Sequence, residues 1–86
     1  MINARDNPIE WGLLLQELTE AHEHLGDTLK RLGSDPAYGD PDFAVDMGHI
    51  AAHLNRAWAR RGIARELTDE EWEAFRNFPG DLTPIA

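Results

Sequence analysis

The sequence predicts an all-α protein: an antiparallel helical hairpin with a short C-terminal helix, assembling into a dimeric helical bundle. Three observations carry that expectation. Two long segments repeat apolar residues at helical spacing, an Asx-Pro pair opens each of them, and a shorter segment with its own capping signature follows. Eighty-six residues make a single small domain spanning 1–86. A chain this short buries only about 60% of its unfolded surface, so a partner chain is a natural source of further stability.

The first helix is expected over about residues 8–32. Asn7 can cap, Pro8 suits the first helical position and Glu10 stands where a capping box needs it. Trp11, Leu15, Leu18, His22, Leu25, Leu29 and Leu32 then form a stripe, widened by Leu14, Ala21 and Thr28. Gly33 offers a left-handed cap, and Ser34 to Gly39 reads as a turn.

Asp40-Pro41 repeats the start signal for a second helix over about 41–61. Its apolar side carries Phe43, Met47, Ile50, Leu54 and Trp58, and Gly62 ends it. A short connection makes the two helices antiparallel neighbours. Ala44, Gly48, Ala51, Ala52, Asn55 and Ala59 form a second face of small residues. Glycine in mid-helix costs roughly 1 kcal/mol, which points to a close helix crossing at Gly48.

Thr68 and Glu71 then mark a third helix over about 69–78, with Leu67 and Trp72 placed as a hydrophobic staple. Trp72, Phe75 and Phe78 give it an aromatic face, and Leu82 and Ile85 allow the tail to dock. Wide apolar arcs on both long helices, with three tryptophans in so short a chain, predict a homodimer. Trp11, Leu14, Gly48, Ala52, Trp58 and Trp72 are the candidate interface residues.

Composition narrows the functional classes. Eight basic residues against sixteen acidic ones leave a net charge of −8, which disfavours nucleic acid and anionic membrane as partners. Arg56, Arg60, Arg61 and Arg65 cluster, and read first as a solvated helix end favoured by the dipole. The chain has no cysteine, which removes disulfides, thiolate metal sites and cysteine nucleophiles. The first residues lack the apolar core of a secretory signal, so a cytoplasmic location is expected.

The histidines are the one chemical feature. Asp46, His49 and His53 recur at helical spacing on the second helix, and His22 lies on the leucine stripe of the first, while His24 is placed on its outward face. His22, Asp46, His49 and His53 are therefore the first candidates for a metal-binding bundle, whether enzyme or carrier. Against it, His49-Ile50-Ala51-Ala52-His53 lacks the glutamate of a zinc-protease helix, and Glu17, Glu20 and Glu23 point away from the leucine stripe. Ser34, the only serine, has no base beside it, and no phosphate-binding glycine loop occurs. A helix-turn-helix reading meets Asp40, Asp42 and Asp46 where a recognition helix would touch DNA. The sequence thus favours a protein-binding accessory or regulatory subunit, with no catalytic residues and no cofactor.

Overall fold

The structure is a computed structural model that describes residues 1–86, and it is all-helical. Helix α1 spans Pro8–Ser34, α2 spans Asp40–Arg60 and α3 spans Asp69–Ala74. The two long helices pack against each other as an antiparallel hairpin. No helix is long and apolar enough to cross a membrane.

The helix starts follow the sequence, with local corrections. Pro8 and Pro41 both sit in the first turn of their helices. Asn7 makes no capping bond; its Oδ1 accepts instead from Asn3 N at 3.4 Å. At α2 the capping partner is Asp42, whose Oδ2 accepts from Gly39 N at 3.1 Å, so the helix begins at Asp40 itself. At α3 the expected box is present: Glu71 N donates to Thr68 Oγ1 at 3.1 Å, and Thr68 N to Glu71 Oε1 at 3.0 Å.

The helix ends differ more. No glycine adopts positive φ, so neither Gly33 nor Gly62 forms a left-handed cap. Helix α1 instead runs through Gly33 to Ser34, whose hydroxyl donates back to Lys30 O at 2.6 Å. Helix α3 stops at Ala74, short of residue 78. Asn77 folds its side chain onto Ala74 O at 3.1 Å, and Phe78 precedes a proline, which disfavours helical geometry.

Packing departs from the sequence pattern most in where the seam lies. The buried apolar residues are Leu14 and Ala21 of α1, Ile50 and Ala57 of α2, and Ile2. Ile2 is brought in by its N–H, which donates to Arg61 O at 2.7 Å. Among them, Glu17, Thr28, Asp46, His53, Arg56 and Arg60 are also buried. At about 100° per residue, the leucine stripe of α1 is displaced by roughly a quarter turn from this seam. The Phe43, Met47 and Leu54 side of α2 is displaced by a similar angle in the same sense. In antiparallel helices, equal displacements fall on the same side of the pair. Leu18, Leu25, Leu29, Leu32, Phe43, Met47 and Leu54 therefore share one broad side of the hairpin, each 41–60% exposed.

The third helix and the tail dock on the chain's own hairpin. The Arg56 guanidinium lies 4.3 Å over the Trp72 ring, and Asn55 Nδ2 donates to Arg76 O at 2.7 Å. In the tail, Asp81 accepts from Trp58 Nε1 at 2.9 Å and from Arg61 Nη2 at 3.1 Å. These attachments are mostly polar, which makes them sensitive to acid. The Arg65 guanidinium and the Thr68 N–H hold Glu71 down at about 2, and the Trp58 N–H and Arg61 hold Asp81 below its usual value. A carboxylate depressed in the folded state stabilises fully above its unfolded pKa, and that stabilisation disappears as pH falls through the folded value. Amide protection of α3 is therefore expected to decline between about pH 5 and about pH 2. Protection that stays constant to the lower limit would show that these ion pairs do not hold the element.

Candidate functional site

The hairpin seam contains two linked polar clusters. Near its middle, Glu17 of α1 faces His53 and Arg56 of α2. His53 Nδ1 stands 3.0 Å from Glu17 Oε2 and 3.3 Å from Glu20 Oε2. Arg56 Nε donates to the same Glu17 carboxylate at 3.2 and 3.4 Å. Both Glu17 and Arg56 are buried, so each answers the other's charge where water cannot.

Toward the α1–α2 turn, Asp46 is the centre of the second cluster. Its carboxylate accepts from Tyr38 Oη at 2.6 Å, His24 Nε2 at 3.1 Å and Arg31 Nη1 at 3.2 Å. The Tyr38 and His24 hydrogen bonds hold Asp46 below the usual carboxylate range. Desolvation and the same Asp46 contact push the Tyr38 hydroxyl up to about 12. Asp46 thus stays ionised and Tyr38 stays protonated across the physiological range.

His49 connects the clusters. Its ring meets His24 edge-on at 4.6 Å between centroids and stacks beside His53 at 5.2 Å. The open surface over this row is lined by Glu20, Glu23, His24, Asp27, His49 and His53, with no apolar side chain. No three of these donors converge on one point at metal-binding geometry in this arrangement.

The structure brings together three of the four sequence candidates, Asp46, His49 and His53. His22 is not among them: it is exposed, on a neighbouring surface with Leu25 and Leu29 that meets the histidine row at Glu23 and Asp27. His24 takes its place, because the seam runs a quarter turn from the leucine stripe that carries His22. The same rotation brings in Glu17 and Glu20, which the apolar pattern had placed outside. Arg56 and Arg60 are likewise buried beside the seam instead of forming a solvated helix end, while Arg65 stays exposed.

The candidate interface residues also scatter. Leu14 is buried within the chain's own core. Trp58 is engaged by Asp81 and by Arg61, whose guanidinium lies 3.7 Å over its ring, and Trp72 carries Arg56. Trp11 and Ala52 are half-buried. Gly48 faces open space, and a Cβ there would meet no neighbouring atom within 4 Å. The sequence did carry a signal for the true cluster: Glu17, Glu20, His24 and Asp27 follow helical spacing as a polar stripe parallel to the leucines.

Fold and site together define an α-helical hairpin with a histidine and carboxylate seam and one bare apolar side. Comparison with protein-family models, curated proteins and solved structures yields no match.

Proposed function

We propose that this chain is one subunit of a homodimer, in which two hairpins meet through their leucine sides to complete a four-helix bundle. Its role is that of a protein-binding accessory or regulatory subunit, and its cysteine-free composition suits a cytoplasmic setting. The observation that carries this reading is the apolar side built by Leu18, Leu25, Leu29, Leu32, Phe43, Met47 and Leu54.

Size supports it. The accessible surface is 6173 Å², against about 5,100 Å² for a compact monomer of this mass. The radius of gyration is 14.8 Å, where about 12 Å would suit a globular chain of this length. The hairpin, 47 × 30 × 25 Å, is thus longer and more open than a compact domain. Covering its leucine side would remove on the order of 700–800 Å² per copy, the extent of a standard stable interface.

Symmetry favours a second copy as the occupant. Charged residues stand at the edge of this side, with Glu23, Asp27 and Lys30 bordering Leu25 and Leu29, while its centre is apolar. A two-fold axis makes that one patch sufficient for both subunits.

Native mass spectrometry with sedimentation velocity tests the reading. A particle of twice the 9.7 kDa chain mass is expected at micromolar concentration. A chain that remains at 9.7 kDa up to about 100 μM, a concentration corresponding to weak association, would overturn it.

A further inference from the structure

We infer that Trp58 and Arg61 form a receptor for a carboxylate side chain on an extended partner segment, and that the chain's own Asp81 holds this receptor as an internal occupant. Two donors converge there. Trp58 Nε1 donates to Asp81 Oδ1 at 2.9 Å and Arg61 Nη2 to Asp81 Oδ2 at 3.1 Å, so each carboxylate oxygen has its own N–H. Two donors on one planar group, one of them charged, select a carboxylate over a neutral acceptor.

Arg61 does not depend on Asp81 for its position. Its Nη1 donates to Trp58 O at 2.8 Å, and its guanidinium lies 3.7 Å over the Trp58 ring. The donors are therefore in place before a carboxylate arrives, which lowers the cost of binding one. Arg60, the preceding residue, leaves its buried Nε without a partner, so this end of α2 keeps positive charge in a chain of net −8.

The occupant is held at one point. Beyond Asn77 the chain makes no backbone–backbone hydrogen bond, and Asp81 is the one residue there whose side chain bonds to the hairpin. That side chain is 64% exposed, so water already competes for both bonds and a second carboxylate can displace it. The tail is non-helical from Phe78 to Ala86, which is why the fitting partner is an extended segment. Beside the receptor, a cavity of about 330 Å³ between α2 and α3 is lined by Trp58, Ala59, Phe75 and Phe78. It suits apolar side chains flanking the acidic one, as Phe78 and Leu82 flank Asp81. This assigns a partner chemistry to the protein-binding role proposed above and rests on that role. Its donors all come from one chain, so it does not require the dimer.

Nuclear magnetic resonance of the isotope-labelled full chain tests this through the tryptophan indole N–H signals, that of Trp58 being assigned with Trp58→Phe. Asp81→Ala should move the Trp58 signal, leave that of Trp11 in place and keep the circular dichroism of the parent. The probe is a synthetic peptide with the sequence of residues 78–86. Added to the Asp81→Ala chain, it should return the Trp58 signal toward its parent position, with a midpoint in the millimolar range. The parent chain should need at least about threefold more peptide, because its own Asp81 competes at the millimolar effective concentration of a short tether. A peptide carrying Asp81→Ala should have no effect, and sodium acetate should act only at higher concentration. An unmoved Trp58 signal in Asp81→Ala, or no response to about 10 mM peptide, would overturn the proposal. So would equal midpoints in the two chains, or an alanine peptide or acetate that matches the original peptide. The mass of the chain reports the dimer separately, so the two readings can fail independently.

Discussion

Leu25→Asp is expected to convert a dimer of twice 9.7 kDa into single chains. Leu25 is 43% exposed in the lone hairpin and lies within the leucine side. On a chain that functioned alone, a polar residue there would change stability by no more than about 0.5 kcal/mol, as at other surface positions. At the centre of a bundle the same carboxylate is taken out of water without a partner, and two-fold symmetry imposes that penalty twice. A penalty of about 3 kcal/mol or more in total raises the dissociation constant by at least 10²-fold. Sedimentation equilibrium reads the mass, and thermal midpoints should lose their dependence on concentration. Val45→Asp is the matched control, because Val45 is 70% exposed on the far side of α2 and its replacement should leave the mass unchanged. A Leu25→Asp chain that sediments as the dimer would reject the leucine side as the interface.

Glu17 is expected to be the least replaceable polar residue in the hairpin. Glu17→Ala leaves the Arg56 guanidinium, whose side chain is 6% exposed, without its carboxylate. Removing one member of a buried pair costs roughly 3–5 kcal/mol, because the remaining charge stays desolvated. For a domain of this size that lowers the thermal midpoint by more than about 12 °C. The pair itself contributes far less than either deletion suggests. Glu17→Leu with Arg56→Met removes both charges and keeps the volume filled, so it should return to within about 1 kcal/mol of the parent. Arg56→Met also keeps a flexible side chain over Trp72. Urea denaturation of the two single variants and the double variant gives the coupling directly. A Glu17→Ala loss below about 1 kcal/mol would mean that water reaches Arg56 and that the seam is not closed.

The course of the chain was legible because local chemistry decides it. Pro8, Pro41 and the Thr68–Glu71 box act within one helical turn of themselves, and each marks a start to within a residue. Gly33 shows where local reading stops: glycine permits a left-handed cap without requiring one, and the Ser34 hydroxyl lets the helix continue. The histidine cluster was only half legible for a non-local reason. A reading of one chain assigns its richest apolar stripe to its nearest neighbour. Here the nearest neighbour takes the mixed stripe of Leu14, Glu17, Ala21, His24 and Thr28, and the leucines remain outside. His22 and His24 point nearly oppositely, so rotating the seam by a quarter turn exchanges one for the other. Asp46, His49 and His53 survived that rotation because they share one face of α2 by their own spacing, whichever side of the helix is buried.

Because the histidine row and the leucines lie on opposite sides of the hairpin, a dimer paired through the leucines would turn both rows outward. It would then be a bivalent particle, with two equivalent polar surfaces separated by the full thickness of the bundle. Such a particle would not place both rows on one small partner, yet it would bridge two. A surface carrying many copies of whatever one row recognises would retain it by avidity beyond the affinity of a single row, by a factor that for linked sites reaches about 10²–10⁴. Leu25→Asp would abolish that gain and leave each row's own affinity intact. The apolar side would then determine how strongly the histidines are felt, without touching them.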